Sequence, residues 1–330
     1  MGAIQCIFCN IDSDEVLWEE NGYTARKCPH CGLVFVSPRP TLSEILNMYA
    51  SDQSHSNAQS FISGSFIKKV YARHHIRIIK KYKNSGSILE IGAGAGWFLY
   101  EARRAGFTVH GIELNRTLTE FVRRLKIPCE ASPLDVSSFE GQRFDIIYHC
   151  DVLSHFYDPI SEFRKMNDRL KNGGILAFET GSSDFEARYN SLLPSFQLPD
   201  HLFTFNEISL RELLGRTGFE LVKIYEYSTV PQLMFLRVAR RILGVLRRVS
   251  GFVRPKQKTN VVNQRNNARS LSYYESKGSV SRLSLTPFIK NVINYFSYII
   301  RYKVGEIVPK RGRPRTVIAI ARKINQSNGN

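Results

Sequence analysis

The sequence predicts an α/β protein with a doubly wound, largely parallel sheet, and three observations carry that expectation. Strand-like and helix-like runs alternate from residue 88 onward, an apolar strand runs directly into a glycine-rich turn, and 330 residues are enough for one large α/β domain with appendages. In order, the strands read 88–91, 107–112, 127–131, 144–149, 174–179 and 219–227. The helices between them read 97–105, 116–125, 158–170 and 207–217. Such alternation places helices on both faces of a buried sheet.

The first strand and turn are the most informative. In SILEIGAGAG, Ser87 to Gly96, the apolar residues Ile88, Leu89 and Ile91 lead into Gly92, Gly94 and Gly96, and a helix-compatible run follows from Trp97 to Arg104. Glycines let the backbone turn tightly and approach a ligand, while the helix start offers free N–H groups. The second strand ends at Glu113, 21 residues after Gly92, where a carboxylate can accept from both hydroxyls of a ribose. The spacing is G-x-G-x-G behind Glu90, not the G-x-G-x-x-G of dinucleotide sites, which favours a ligand without a pyrophosphate.

Ahead of this core, Cys6, Cys9, Cys28 and Cys31 form C-x2-C-x18-C-x2-C. Two such turns can present four thiolates tetrahedrally to zinc, and four thiolates leave no open position, so the metal expected is structural. A disulfide reading would need an oxidising compartment, which nothing in the sequence indicates. His30 reads as an exposed spacer within the second turn, and Cys129 and Cys150 as core residues.

On these residues the chain resembles the class I S-adenosylmethionine-dependent methyltransferases, whose first motif is an acid followed by G-x-G-x-G. Arg143 to His155, RFDIIYHCDVLSH, is similar to the family's fourth strand and the segment after it, and Leu170 to Thr180, LKNGGILAFET, to its turn and fifth strand. The likeness covers roughly residues 85 to 228. It implies a Rossmann-like seven-stranded sheet whose last strand runs antiparallel, and Arg315 to Lys323 is the candidate for that strand. Residues 1–36 are then a zinc ribbon, 37–84 a helical linker or lid, 85–228 the core, 229–312 a basic helical insertion, and 313–324 the final strand of the core. Within the linker, the Ser, Asn and Gln content of Ser51 to Ser65 reads as a loop or mobile lid. The run CPHCGLVFVSPRPTLSEILNMY resembles the ribbon entry of a subgroup associated with sugar and cell-surface glycan biosynthesis.

The resemblance also implies site residues. Glu90, Gly92, Gly94 and Gly96 would lie under the methionine end of S-adenosylmethionine, Glu113 at its ribose, and Ser132 to Asp135 at its adenine, with Pro133 standing where an acid is expected and Asp135 substituting for it. Asp151, after strand four, is placed with the cofactor set. A hydroxyl acceptor needs a base that titrates near neutrality, for which histidine is suited. His155 in DVLSH and His201 in LPDHLFTFN are the candidates, the latter following a candidate substrate loop, Ser182 to Pro199. His74, His75, His110 and His149 read as ordinary strand or surface histidines.

Charge is concentrated at one end. Of the net +17, residues 231–330 hold 21 Lys and Arg against 2 Asp and Glu, while the first 230 hold 25 against 27. On a helical wheel of about 100° per residue, Arg237, Arg240, Arg241, Arg247 and Arg248 share an arc of about 120° opposite Phe235, Val238, Ala239, Ile242, Leu243, Val245, Leu246 and Val249. This pattern predicts a helix lying on an anionic membrane through residues 232–250, the alternative being helices packed on each other or on a second copy with the arginines solvated. A second helix is expected from Pro287, exposing Ile289, Val292, Ile293, Phe296, Ile299 and Ile300. No apolar window is long enough to span a bilayer and the N-terminus has no signal-peptide pattern, which predicts a cytoplasmic protein, peripheral on the inner membrane face. The function expected is methyl transfer to a small-molecule, sugar or lipid-linked glycan acceptor. Methylation of a polyprenyl quinone precursor is the alternative enzyme reading, and an RNA methyltransferase or nucleic-acid-binding protein the alternative from another class. The second is disfavoured because the arginines lack aromatic interleaving.

Overall fold

The computed structural model describes residues 2–50, 58–134, 139, 141–193, 195–249 and 287–324. Near the N-terminus three short strands, β1 (Val16–Glu20), β2 (Tyr23–Lys27) and β3 (Val34–Val36), form an antiparallel ribbon. Helices α1 (Leu42–Ala50), α2 (Ala58–Ser63) and α3 (Ser65–Ile79) follow. The expected loop over Ser51 to Ser65 is therefore corrected in part, because residues 58–63 are helical: Phe61 packs toward the glycine turn and its carbonyl accepts from Trp97 Nε1 at 3.0 Å. Residues 51–57 lie outside the described residues.

The core then runs β4 (Ser87–Ile91), α4 (Trp97–Arg104), β5 (Thr108–Ile112), α5 (Arg116–Arg124), β6 (Cys129–Glu130), β7 (Phe144–Cys150), α6 (Pro159–Arg169), β8 (Leu170–Ser182), β9 (Phe203–Thr204), α7 (Glu207–Arg216), β10 (Phe219–Ser228), α8 (Val230–Val249), α9 (Pro287–Ile299) and β11 (Arg315–Lys323). The seven-stranded sheet has the order β10-β11-β8-β7-β4-β5-β6. The strand order reverses between β4 and β7, which opens a crevice at the carboxyl ends of those strands. As expected, β11 runs antiparallel to both neighbours, and its first seven residues are buried. That buried position requires strand residues on both faces to be apolar or small, as Val317 to Ala321 are.

Local signals explain the helix starts. Asn115 accepts from Leu118 N–H at 3.1 Å, Asp158 from Ser161 N–H at 3.0 Å ahead of Pro159, and Asn206 forms a reciprocal cap with Ser209. The strand expected at 174–179 extends in both directions to Leu170–Ser182. The pair β9 was not legible at all: it adds a fourth strand to the ribbon, with Val34 opposite Thr204 and Phe35 opposite Phe203. Two residues carry too little periodic pattern to be recognised without their partner. The second insertion helix begins at Pro287 as predicted, yet Val292, Ile293, Ile299 and Ile300 are half-buried, and of the expected face only Phe296 is exposed among the described residues. Packing on α3 explains the difference, with Tyr71 and Tyr298 ring centroids at 5.5 Å.

Candidate active site

A cavity of about 920 Å³ lies at the carboxyl ends of β4, β5, β7 and β8, and most of the predicted site residues line it. At one end the glycine turn is built tightly. Gly92 and Gly96 have φ of +70° and +69°, and a Cβ at either would come within 2.7 Å of Val152 or 2.8 Å of Val122, so conformation and space both require glycine. Glu113 is held by Gly94 N–H on one carboxylate oxygen and Asn115 N–H on the other, each at 2.8 Å. Each oxygen keeps lone-pair capacity for a further donor. Beneath the turn Glu90 is buried, and its Oε2 has no hydrogen-bond partner among the described residues. Burial and the nearby Glu113 push its carboxyl well above the usual range. Ser132, Pro133 and Leu134 line the same end; Asp135 lies outside the described residues.

The other end is polar and composite. His155 and His201, far apart in sequence, have ring centroids at 4.8 Å. His155 Nδ1 meets the Asp200 carbonyl oxygen at 3.0 Å and Asp200 Oδ1 at 3.1 Å. Both neighbours can only accept, so Nδ1 carries the proton and Nε2 holds the lone pair of the neutral ring. His155 and Asp200 thus form an oriented His–Asp dyad. Burial lowers the His155 pKa, and the charge and hydrogen bonds of Asp200 outweigh it, leaving the ring above its ordinary value. Asp200 was missed in the sequence, although it stands next to His201.

Asp151 closes β7 with φ of +54°, an unusual backbone for a non-glycine residue, and its carboxylate faces the cavity. Desolvation within the cavity wall and the nearby Glu179 raise its pKa, although the residue keeps an exposed surface. It stands beside His155, Glu179 and Arg301 at the polar end of the cavity.

A second ionic cluster was missed entirely. Glu179, buried at the end of β8, accepts from His75 Nε2 at 2.7 Å, Tyr302 O–H at 2.6 Å and Arg301 Nη2 at 2.7 Å. Burial opposes its ionisation, and Arg301 and His75 prevail, bringing the carboxylate down to about 2. His75 is therefore no ordinary surface histidine: it is buried in the cavity wall, with Nδ1 2.5 Å from the Tyr148 hydroxyl. Arg301 and Tyr302 come from a π-helical turn, Ile300–Val304, that continues α9, an irregularity frequent at functional sites. His149, by contrast, is an ordinary buried strand histidine. It stacks on Phe178, and burial lowers its pKa to about 3.

The four ribbon cysteines converge, with their sulfur atoms within 4.8 Å of one another. Two matching turns bring them there, closed by Asn10 N–H on Cys6 O and Gly32 N–H on Cys28 O, both at 2.9 Å, with positive φ at Asn10 and Gly32. The ribbon also holds the histidine loop. Glu20 accepts from Ser195 Oγ at 2.6 Å, Phe196 N–H at 3.0 Å and Gln197 N–H at 2.9 Å, and Val36 N–H reaches Leu202 O at 2.9 Å.

Residues 64–224 match the family model described as a methyltransferase domain. The chain carries a class I S-adenosylmethionine-dependent methyltransferase domain. The ubiquinone biosynthesis O-methyltransferase of Coxiella burnetii is 26% identical over 106 residues, covering 30% of this chain and 45% of that protein. A tRNA U34 carboxymethyltransferase of Ectopseudomonas mendocina is 29% identical over 153 residues, 43% and 47% respectively. The chain thus aligns with about half the length of these curated relatives. Among solved structures, Haemonchus contortus phosphoethanolamine N-methyltransferase 2, holding phosphomonomethylethanolamine and S-adenosylhomocysteine, aligns with a TM-score of 0.50 at 13% identity, over 88% of this chain and 63% of its own. At that identity the likeness concerns the fold. The matched span contains the glycine turn and Glu113. The unpartnered Glu90 Oε2, the glycine turn and the lone pairs of Glu113 form a donor-seeking cradle that suits the amino group and ribose hydroxyls of S-adenosylmethionine.

Proposed function

We propose that the protein transfers a methyl group from S-adenosylmethionine to a hydroxyl of a sugar or glycan intermediate, free or lipid-linked. The observation that carries this reading is the Asp200–His155 dyad in the same cavity as the glycine turn. When bound, S-adenosylmethionine supplies a methyl already activated as a sulfonium, so the chain's own residues need only orient the acceptor and take its proton. His155 Nε2 receives the hydroxyl proton, and Asp200 stabilises the imidazolium so formed. His201 and Asp151 offer hydrogen bonds to neighbouring hydroxyls from the walls of the cavity. The four converging thiolates suit structural zinc, which would stiffen the ribbon that holds the dyad loop. Methylation of a polyprenyl quinone precursor is the second reading, favoured by the names of several relatives.

Transfer of labelled methyl to a panel of nucleotide sugars, polyprenyl phenols and tRNA separates these acceptors. On the acceptor that is methylated, His155→Gln is expected to lower kcat by about 10²–10⁴-fold with S-adenosylhomocysteine affinity unchanged. Because Asp200 holds the His155 pKa up, the rate should rise with pH through a value above about 6.5, the ordinary histidine pKa. Asp200→Asn should move that limb downward. Wild-type rates and pH profiles in both variants would contradict the assignment.

A further inference from the structure

Val230 to Ile242 of α8 carry an apolar stripe that no described residue covers. Met234, Val238 and Ile242, one turn apart, are 46%, 51% and 54% exposed. Phe235 and Ala239, on the adjoining side of the helix, are half-buried against the body. Arg241 is exposed at the edge of the stripe, Arg240 is exposed on the opposite side of the helix, and Arg237 is anchored by donation to Ser191 O at 2.5 Å. Arg247 and Arg248, whose side chains lie outside the described residues, fall on the same arc by sequence. The helix contains no acidic residue.

We infer that this face docks on an anionic lipid bilayer. An apolar stripe on a helix whose charged residues are all cations, gathered on the other arc, suits the boundary between acyl chains and anionic headgroups, where the stripe is buried and the guanidiniums meet phosphates. A second copy of the chain fits less well, because pairing through the stripe would bury it and leave the arginine arc facing water, with no acid on either α8 to meet it. Nucleic acid would satisfy the arginines and leave the stripe in water. Tyr295 and Phe296 on α9 are also exposed, at 42% and 51%, of the aromatic kind that favours the membrane interface. The two helices are tied together by Gln232 Nε2 and Ser297 Oγ at 2.8 Å.

The docking has a consequence for the site. The helix α9 runs straight into the turn that places Arg301 and Tyr302 in the cavity wall, so a surface that seats α8 on lipid holds the acceptor end close to the bilayer. This consequence rests on the reading of the acceptor as lipid-linked; vesicle binding itself does not.

Sedimentation of the full chain with vesicles tests the inference. Vesicles of phosphatidylcholine with phosphatidylglycerol should carry the protein down, phosphatidylcholine alone should not, and added salt should release part of it. Arg240→Glu with Arg241→Glu should weaken binding by on the order of tenfold or more. Ile242→Asp and, independently, Val238→Asp should abolish it even at low salt, while thermal melting and S-adenosylhomocysteine binding match the wild type. Wild-type protein that stays in solution with anionic vesicles overturns the inference. So does undiminished sedimentation of both aspartate variants, conversion of a dimer to monomer by them, or binding of an RNA oligonucleotide without any binding to vesicles.

Discussion

The two ends of the cavity are built in opposite ways. The cofactor end comes largely from one continuous stretch, residues 90 to 115, whose hydrogen bonds close over short distances, as from Gly94 and Asn115 to Glu113. The acceptor end draws on the ribbon, the segment after β7, the loop at 195–204 and the π-helical turn at 301–302. Its geometry exists only when segments more than a hundred residues apart have met, such as Glu20 with Ser195 and Glu179 with Arg301. The difference teaches that cofactor binding should survive damage that destroys acceptor chemistry.

The largest expected effect is at the ribbon. Metal analysis should find one zinc per chain, and Cys28→Ser or chelation should unfold residues 1–36 locally, since structural zinc sites of this kind contribute about 10–16 kcal/mol. Loss of the Glu20 clamp then frees the dyad loop, so methyl transfer should vanish while S-adenosylhomocysteine still binds. Equal loss of both would break the comparison.

Next in size is the buried cluster. Glu179→Gln leaves the Arg301 guanidinium without its carboxylate in a largely buried site and should destabilise the fold by about 3–5 kcal/mol in denaturant titration. The sign with pH follows from the lowered carboxylate. The stabilisation it supplies is present above the usual unfolded-state value of about 4.3 and is lost as pH falls toward about 2. Wild-type stability in Glu179→Gln, or an unchanged acid limb, would count against the cluster.

The same contrast decides what was legible in the sequence. Strand, glycine turn, helix, strand and acid are local, so Glu90 to Glu113 could be read in order, and the reversed β11 followed once the family's sheet was recognised. His155 and His201 were found separately as residue types suited to a base, but nothing in their spacing says that they touch. Asp200 stood beside His201 and gained its role only because the ribbon folds the 195–198 loop onto Glu20. His75, Arg301 and Tyr302 had no motif, and Glu179 stood within LKNGGILAFET without any local sign of its partners. They meet through packing of α3, β8 and the insertion, and a histidine on an apolar helix face carries no local sign that a carboxylate 104 residues away will accept from it.

The central claim is that the turn from Glu90 to Gly96 and Glu113 bind S-adenosylmethionine independently of the acceptor end. Calorimetric titration of S-adenosylhomocysteine into the wild type, Glu113→Ala and Cys28→Ser tests it most directly. The account predicts binding to the wild type, a loss of about 1.5–3 kcal/mol in Glu113→Ala from its missing charged acceptor, and near wild-type affinity in Cys28→Ser. No binding by the wild type, tighter binding of NAD, or an unchanged affinity in Glu113→Ala would contradict it.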